Sequence, residues 1–202
     1  MTTILALTGL AVAGLQAAGA EPALDDVPEV FGVRVIGDVP EMDGMSAADG
    51  TAVVDGVFTE WEELPPLWSD PQGDGAPGGR VDFGRLWASS DSERITLCFE
   101  LGGEINLQSG NAITLFLDGD GNASTGRHIE GLGAELAWTF GQRTGVIWSA
   151  DGGTEREIGQ ADIGLLQAPT VSSTRFEISL RRNGPGGTLL VPGPAARLVL
   201  VD

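Results

Sequence analysis

Along most of this chain after residue 80, apolar and polar residues alternate in short runs, and nearly every run ends at Gly, Asn, Asp or Ser. A period of two marks a β-strand with one buried face. Strands are therefore expected at Phe83 to Ala88, Ile95 to Leu101, Ile113 to Leu117, Ala134 to Phe140, Gly145 to Ser149, Phe176 to Leu180 and Arg197 to Val201. In the second of these, Ile95, Leu97, Phe99 and Leu101 form a wholly apolar face, with Thr96, Cys98 and Glu100 on the other. No stretch keeps a long helical period. Thr59-Glu60-Trp61-Glu62 predicts one helical turn, stopped by Pro65-Pro66, and Gln160 to Gln167 fits a strand or a helical turn equally. The expected fold is all-β, an antiparallel β-sandwich of jelly-roll or immunoglobulin-like type, in a single domain.

The first fifty residues do not share this pattern. Residues 4 to 15 (ILALTGLAVAGL) are an apolar run too short to span a bilayer comfortably, and Ala18-Gly19-Ala20 is a small-x-small cleavage pattern. Residues 1 to 20 thus read as a secretory signal, although no Lys or Arg precedes the run; retention as an anchor is the alternative. Residues 21 to 50 form an acidic, Pro-containing extension or linker with one candidate strand near Phe31 to Ile36, leaving 51 to 202 for the sandwich. The protein is expected to be secreted or held at the cell surface, with no membrane insertion after cleavage.

Charge narrows the partners. The chain has 202 residues, with 29 acidic against 11 basic, for a formal net charge of -18. Such a field repels phosphate backbones and anionic headgroups, so nucleic acid is excluded as an expected partner, while divalent cations and neutral polymers remain. The single cysteine, Cys98, rules out an intrachain disulfide and a cysteine-based zinc site. Its position in mid-strand, thirty residues from the lone His128, favours packing over a thiol nucleophile.

The densest chemistry lies in LFLDGDGNASTG, where Asp118, Asp120 and Asn122 alternate with Gly119 and Gly121. Oxygen side chains at this spacing on a tight turn converge on one point, which suits Ca²⁺. The loop is not an EF-hand, because Ala123 and Ile129 stand at its sixth and twelfth positions and its flanks are strands. Glu135, on the face of its strand opposite Leu136, Trp138 and Phe140, is positioned to complete the shell. The alternative is a plain turn in which Asp118 and Asn122 bond the backbone and Glu135 pairs with Arg127 or Arg143. His128 reads as a solvated turn residue, and Asn122-Ala123-Ser124 matches a glycosylation acceptor. Glu60, Glu62 and Glu63, or Asp70 with Asp74, are the only groupings that suggest a hydrolytic acid/base pair, and with so many acidic residues such clusters arise by accident. Of five tryptophans, Trp61, Trp87 and Trp138 fall where packing is expected; Trp68 and Trp148, near loops, are the candidate platforms for a sugar ring.

Taken in order, Asp55-Gly56, Glu60-Trp61, the strand Arg94 to Leu101, LFLDGDGNASTG, GLGAEL and RFEISL at Arg175 to Leu180 resemble family 9 carbohydrate-binding modules and the related DOMON-like sandwiches, over roughly residues 51 to 202. The resemblance implies a non-catalytic module of an exported protein, with sugar binding in some members and calcium in others. By position, Asp118, Asp120, Asn122 and Glu135 match the turn and the G-x-E strand, and Glu177 matches the glutamate of the late strand. Haem, which some relatives bind through Met or His, is not expected: His128 is in a turn, and Met42 and Met45 lie outside the sandwich. The expected function is that of an exported, non-enzymatic module with a structural calcium and a polysaccharide or glycan ligand. A structural or cell-surface interaction domain that binds a surface protein and no small molecule is the alternative.

Overall fold

A computed structural model describes the backbone of residues 34–39 and the whole of residues 52–73, 81–129, 131–187, 190–192 and 196–202. The expected signal segment, Met42, Met45 and Asp74 lie outside these residues. In chain order the elements are strand β1 (Arg34–Val39), helical turn α1 (Thr59–Glu62), and strands β2 (Trp68–Ser69), β3 (Phe83–Ser90), β4 (Arg94–Ile105), β5 (Thr114–Asp118), β6 (Arg127–Ile129), β7 (Leu132–Ala134), β8 (Leu136–Thr139), β9 (Thr144–Trp148), β10 (Glu155–Ile158), β11 (Leu166–Ala168), β12 (Ser173–Arg181) and β13 (Ala196–Val201). Gln160 to Gln167 resolves into a turn followed by the start of β11.

Two antiparallel sheets carry the fold. One has six strands in the order β1-β13-β5-β8-β9-β10, and the other five in the order β11-β12-β4-β3-β2. β1 comes from the acidic extension and pairs with β13, so the six-stranded sheet draws a strand from before residue 51. Alternation puts Leu115, Leu117, Leu136, Trp138, Leu198 and Leu200 on the inner face of this sheet, against Leu97, Phe99, Phe176 and Ile178 of the other, in one buried cluster. Face-to-face packing of two apolar faces is what the period of two requires.

The outer face of the five-stranded sheet departs from the expected pattern. Thr96 and Cys98 lie on the face of β4 opposite its apolar one, yet both are buried. The segment around α1 lies across Cys98: Trp61, Trp87 and Cys98 form a second small core, with Ala52, Phe58 and Leu64 packed against it. Beside it, the Arg175 guanidinium lies between the rings of Phe58 and Trp87, with its centre 4.8 Å from each ring centroid.

The expected strand Ala134 to Phe140 is also divided. β7 pairs with β6 in a separate two-stranded ribbon, while β8 joins the main sheet, and the chain bends at Glu135 between them. That bend brings Glu135 beside the end of β5.

Candidate metal centre

β5 ends at Asp118, and two glycines then let the chain turn sharply. At Gly119 a Cβ would overlap the main-chain carbonyl of Leu190. At Gly121 φ is +68°, in the left-handed region that side chains disfavour. Polar groups close the turn: the Asn122 N–H donates to Asp118 Oδ1 at 3.1 Å and to Asp120 Oδ1 at 2.9 Å, and the Ser124 N–H donates to Asn122 Oδ1 at 3.1 Å. The Thr125 hydroxyl lies 3.0 Å from both Asp120 carboxylate oxygens. From β8's side, Glu135 Oε2 accepts the Gly119 N–H at 2.8 Å. Up to this point the loop behaves as an Asx-rich turn.

The remaining oxygens do not fit a plain turn. Asp118 is 0% exposed and its Oδ2 has no hydrogen-bond partner; Glu135 Oε1 is also buried without one. One oxygen from each of Asp118, Asp120 and Glu135 falls within 4.8 Å of the others. Neither Arg127 nor Arg143 pairs with Glu135: Arg127 is exposed, and Arg143 donates to Gln160 Oε1. Leaving a buried carboxylate oxygen unpaired costs about 1–3 kcal/mol or more, and neighbouring carboxylates add repulsion. Burial, with the Asp120 and Asp118 charges added, pushes Glu135 up to about 7, against the pull of the Gly119 N–H. Asp118 is raised as well, chiefly by burial, with nearby main-chain amides partly opposing. The cluster thus demands positive charge, from a proton or from a cation. Its donors are all hard oxygens, the set suited to Ca²⁺ or Mg²⁺ rather than to zinc. His128 is exposed on β6 and is not one of the three clustered residues.

A pH dependence follows from Glu135. Its carboxyl titrates near 4.5 when unperturbed and near 7 in the folded, cation-free protein, so folding binds its proton more tightly. The associated stability is fully present below about pH 4.5 and is lost as pH rises through about 7. In chelator, the melting temperature is expected to fall between pH 5 and pH 8, while Glu135→Gln flattens that fall; a wild-type profile as flat as that of the variant would contradict the assignment.

A second group, Asp55, Glu60 and Glu177, also brings carboxylate oxygens within 4.8 Å of one another. Here the buried member is already satisfied. Glu177, 0% exposed on β12, accepts the Gly56 N–H at 2.8 Å and the Asp55 N–H at 3.1 Å through Oε2, and the Trp61 indole N–H at 2.8 Å through Oε1. Burial raises its pKa, while these three donors pull the other way. Three N–H groups already serve this carboxylate, and its geometry is that of a clamp fastening the α1 segment to the sheet.

The two candidate sugar platforms are separated. Trp68 pairs with the core residue Leu86 and packs against the main core, on the five-stranded sheet. Trp148 belongs to the six-stranded sheet and lies half-buried on its outer face, beside Glu135. Cys98 is buried, and its thiol is pushed up to about 12, chiefly by burial, so it stays protonated at neutral pH. Among the described residues no helix is long and apolar enough to cross a membrane. No protein-family model, no curated protein and no solved structure matches the chain.

Proposed function

We propose that the chain is an exported, non-catalytic β-sandwich module that holds a structural calcium ion through Asp118, Asp120 and Glu135, with Asn122 shaping the loop, and that presents a carbohydrate-binding surface. The observation that carries the cation is the pair of buried, unpartnered oxygens, Asp118 Oδ2 and Glu135 Oε1, on two of three carboxylates that each bring an oxygen within 4.8 Å of the others. Calcium is favoured over magnesium because the ligands come from a turn and a strand bend of irregular geometry, which the larger ion tolerates and the strict octahedron of magnesium does not. The order of motifs resembling family 9 carbohydrate-binding modules supports the module and its export. Trp68 and Trp148 are both half-buried, Trp68 against the main core and Trp148 on the outer face of the six-stranded sheet.

Titration calorimetry on chelator-stripped protein tests the cation. One calcium per chain is expected, with Glu135→Gln weakening it roughly ten-fold or more. An absence of heat, together with no calcium found by elemental analysis, would overturn the proposal. The interaction-domain reading draws on the exposed apolar side chains Val53, Val57, Leu166 and Val171. It requires no response to calcium.

A further inference from the structure

The hydroxyl of Thr125 faces more acceptors than it has protons. Its Oγ1 lies 3.0 Å from Asp120 Oδ1, 3.0 Å from Asp120 Oδ2 and 2.8 Å from the Asn122 carbonyl oxygen. A hydroxyl carries one proton and two lone pairs, and neither a carboxylate nor a carbonyl supplies another proton. If the proton goes to Asp120, the Asn122 carbonyl meets a lone pair at 2.8 Å; if it goes to Asn122, two anionic oxygens do so at 3.0 Å. Either way, lone pairs oppose one another at hydrogen-bond distance.

This crowding occurs at the carboxylate cluster itself. Asp120 is one of its three members, and Asp118, which is fully buried, supplies one of the two unpartnered oxygens. The other, Glu135 Oε1, abuts the residue after Thr125: a Cβ on Gly126 would fall 2.9 Å from it. Thr125 thus touches one clustered carboxylate and adjoins a glycine that packs on another.

Direct coordination resolves the conflict. Calcium holds oxygens at about 2.4 Å, so two neighbouring ligands that subtend about 75° stand about 3 Å apart. That is the spacing between Thr125 Oγ1 and each oxygen of Asp120. With a lone pair on the ion, the hydroxyl keeps its proton for the Asn122 carbonyl, and the metal answers the Asp120 charge. We propose that Thr125 is a further ligand of the cation, its Oγ1 coordinating directly beside Asp118, Asp120 and Glu135. Three carboxylates already exceed the charge of a divalent ion, and a neutral oxygen fills a position without adding to that excess. The proposal deepens the cation reading above and rests on it.

The test uses the full chain with europium(III), a hard ion whose luminescence lifetimes in H₂O and D₂O count the waters it carries, and calcium titrations in parallel. Thr125→Val removes Oγ1 and keeps the shape of the side chain. Water is expected to take the place left, raising the count by about one, and calcium affinity is expected to fall roughly ten-fold. Thr125→Ser keeps the hydroxyl and should hold the wild-type count, and Thr125→Ala repeats the removal should Thr125→Val not fold. A water count that stays unchanged without the hydroxyl, whether or not affinity falls, would overturn the proposal, make Thr125 a residue that only shapes the turn, and leave the cation site intact. Failure of the wild type to bind either ion would overturn the cation reading as well.

Discussion

Glu177→Ala is expected to destabilise the protein by about 3–5 kcal/mol, read from the urea midpoint at constant slope. The carboxylate is fully buried and takes three N–H donors, from Asp55, Gly56 and Trp61. Its removal leaves all three without an acceptor, and each unsatisfied buried donor costs about 1–3 kcal/mol unless water reaches it. Asp55 and Gly56 lie where some solvent can enter, which keeps the sum below that of three wholly buried groups. Glu177→Gln retains one carbonyl oxygen but turns an amide N–H₂ toward donors, so about half the loss is expected. A change in Trp61 fluorescence should accompany unfolding of the α1 segment. A loss below about 1 kcal/mol would mean that the segment is held by its apolar contacts alone.

Asp118→Asn is expected to change sign with calcium. In chelator the substitution removes a buried charge from a cluster that repels it, and the new amide is placed to donate toward the unpartnered Glu135 Oε1. The variant should then be more stable than wild type, by about 1 kcal/mol. In calcium the order reverses. A ligand present at one hundred times its dissociation constant stabilises by about 2.7 kcal/mol, and the variant forfeits most of that. Melts of both proteins in both conditions check the crossing. A variant less stable than wild type in chelator as well as in calcium would make Asp118 an ordinary turn residue.

The strands were legible because the period of two survives in Ile95 to Leu101, Leu115 to Leu117 and Phe176 to Leu180, and a buried face enforces it. Asp118, Asp120 and Glu135 were legible as a set because the turn and the following strand keep them close in sequence. What covers a sheet from outside was not. The sequence shows Cys98 as a packed residue on the second face of β4, but nothing in β4 announces that Trp61 and Phe58 are what packs there. The partners of Glu177 were equally hidden: a structural hydrogen-bond or ion-pair role was open to it by resemblance, but its three donors lie 116 to 122 residues earlier, and no local pattern links them. The bend at Glu135 escaped for another reason. The alternation runs unbroken through Ala134 to Phe140, and only pairing of β7 with β6 draws the first part away from the main sheet. Trp68 and Trp148 looked alike beside their loops, and they part only because register turns one toward the core and the other outward.

The most direct test is a thermal melt of the chelator-stripped protein near pH 8, with and without millimolar calcium, and with metal content determined on the same samples. The cation centre predicts that calcium raises the melting temperature by about 5–10 °C, with one ion retained per chain. Identical melts with no retained metal would contradict it, and would leave Asp118, Asp120 and Glu135 as a turn that carries its buried charge unrelieved.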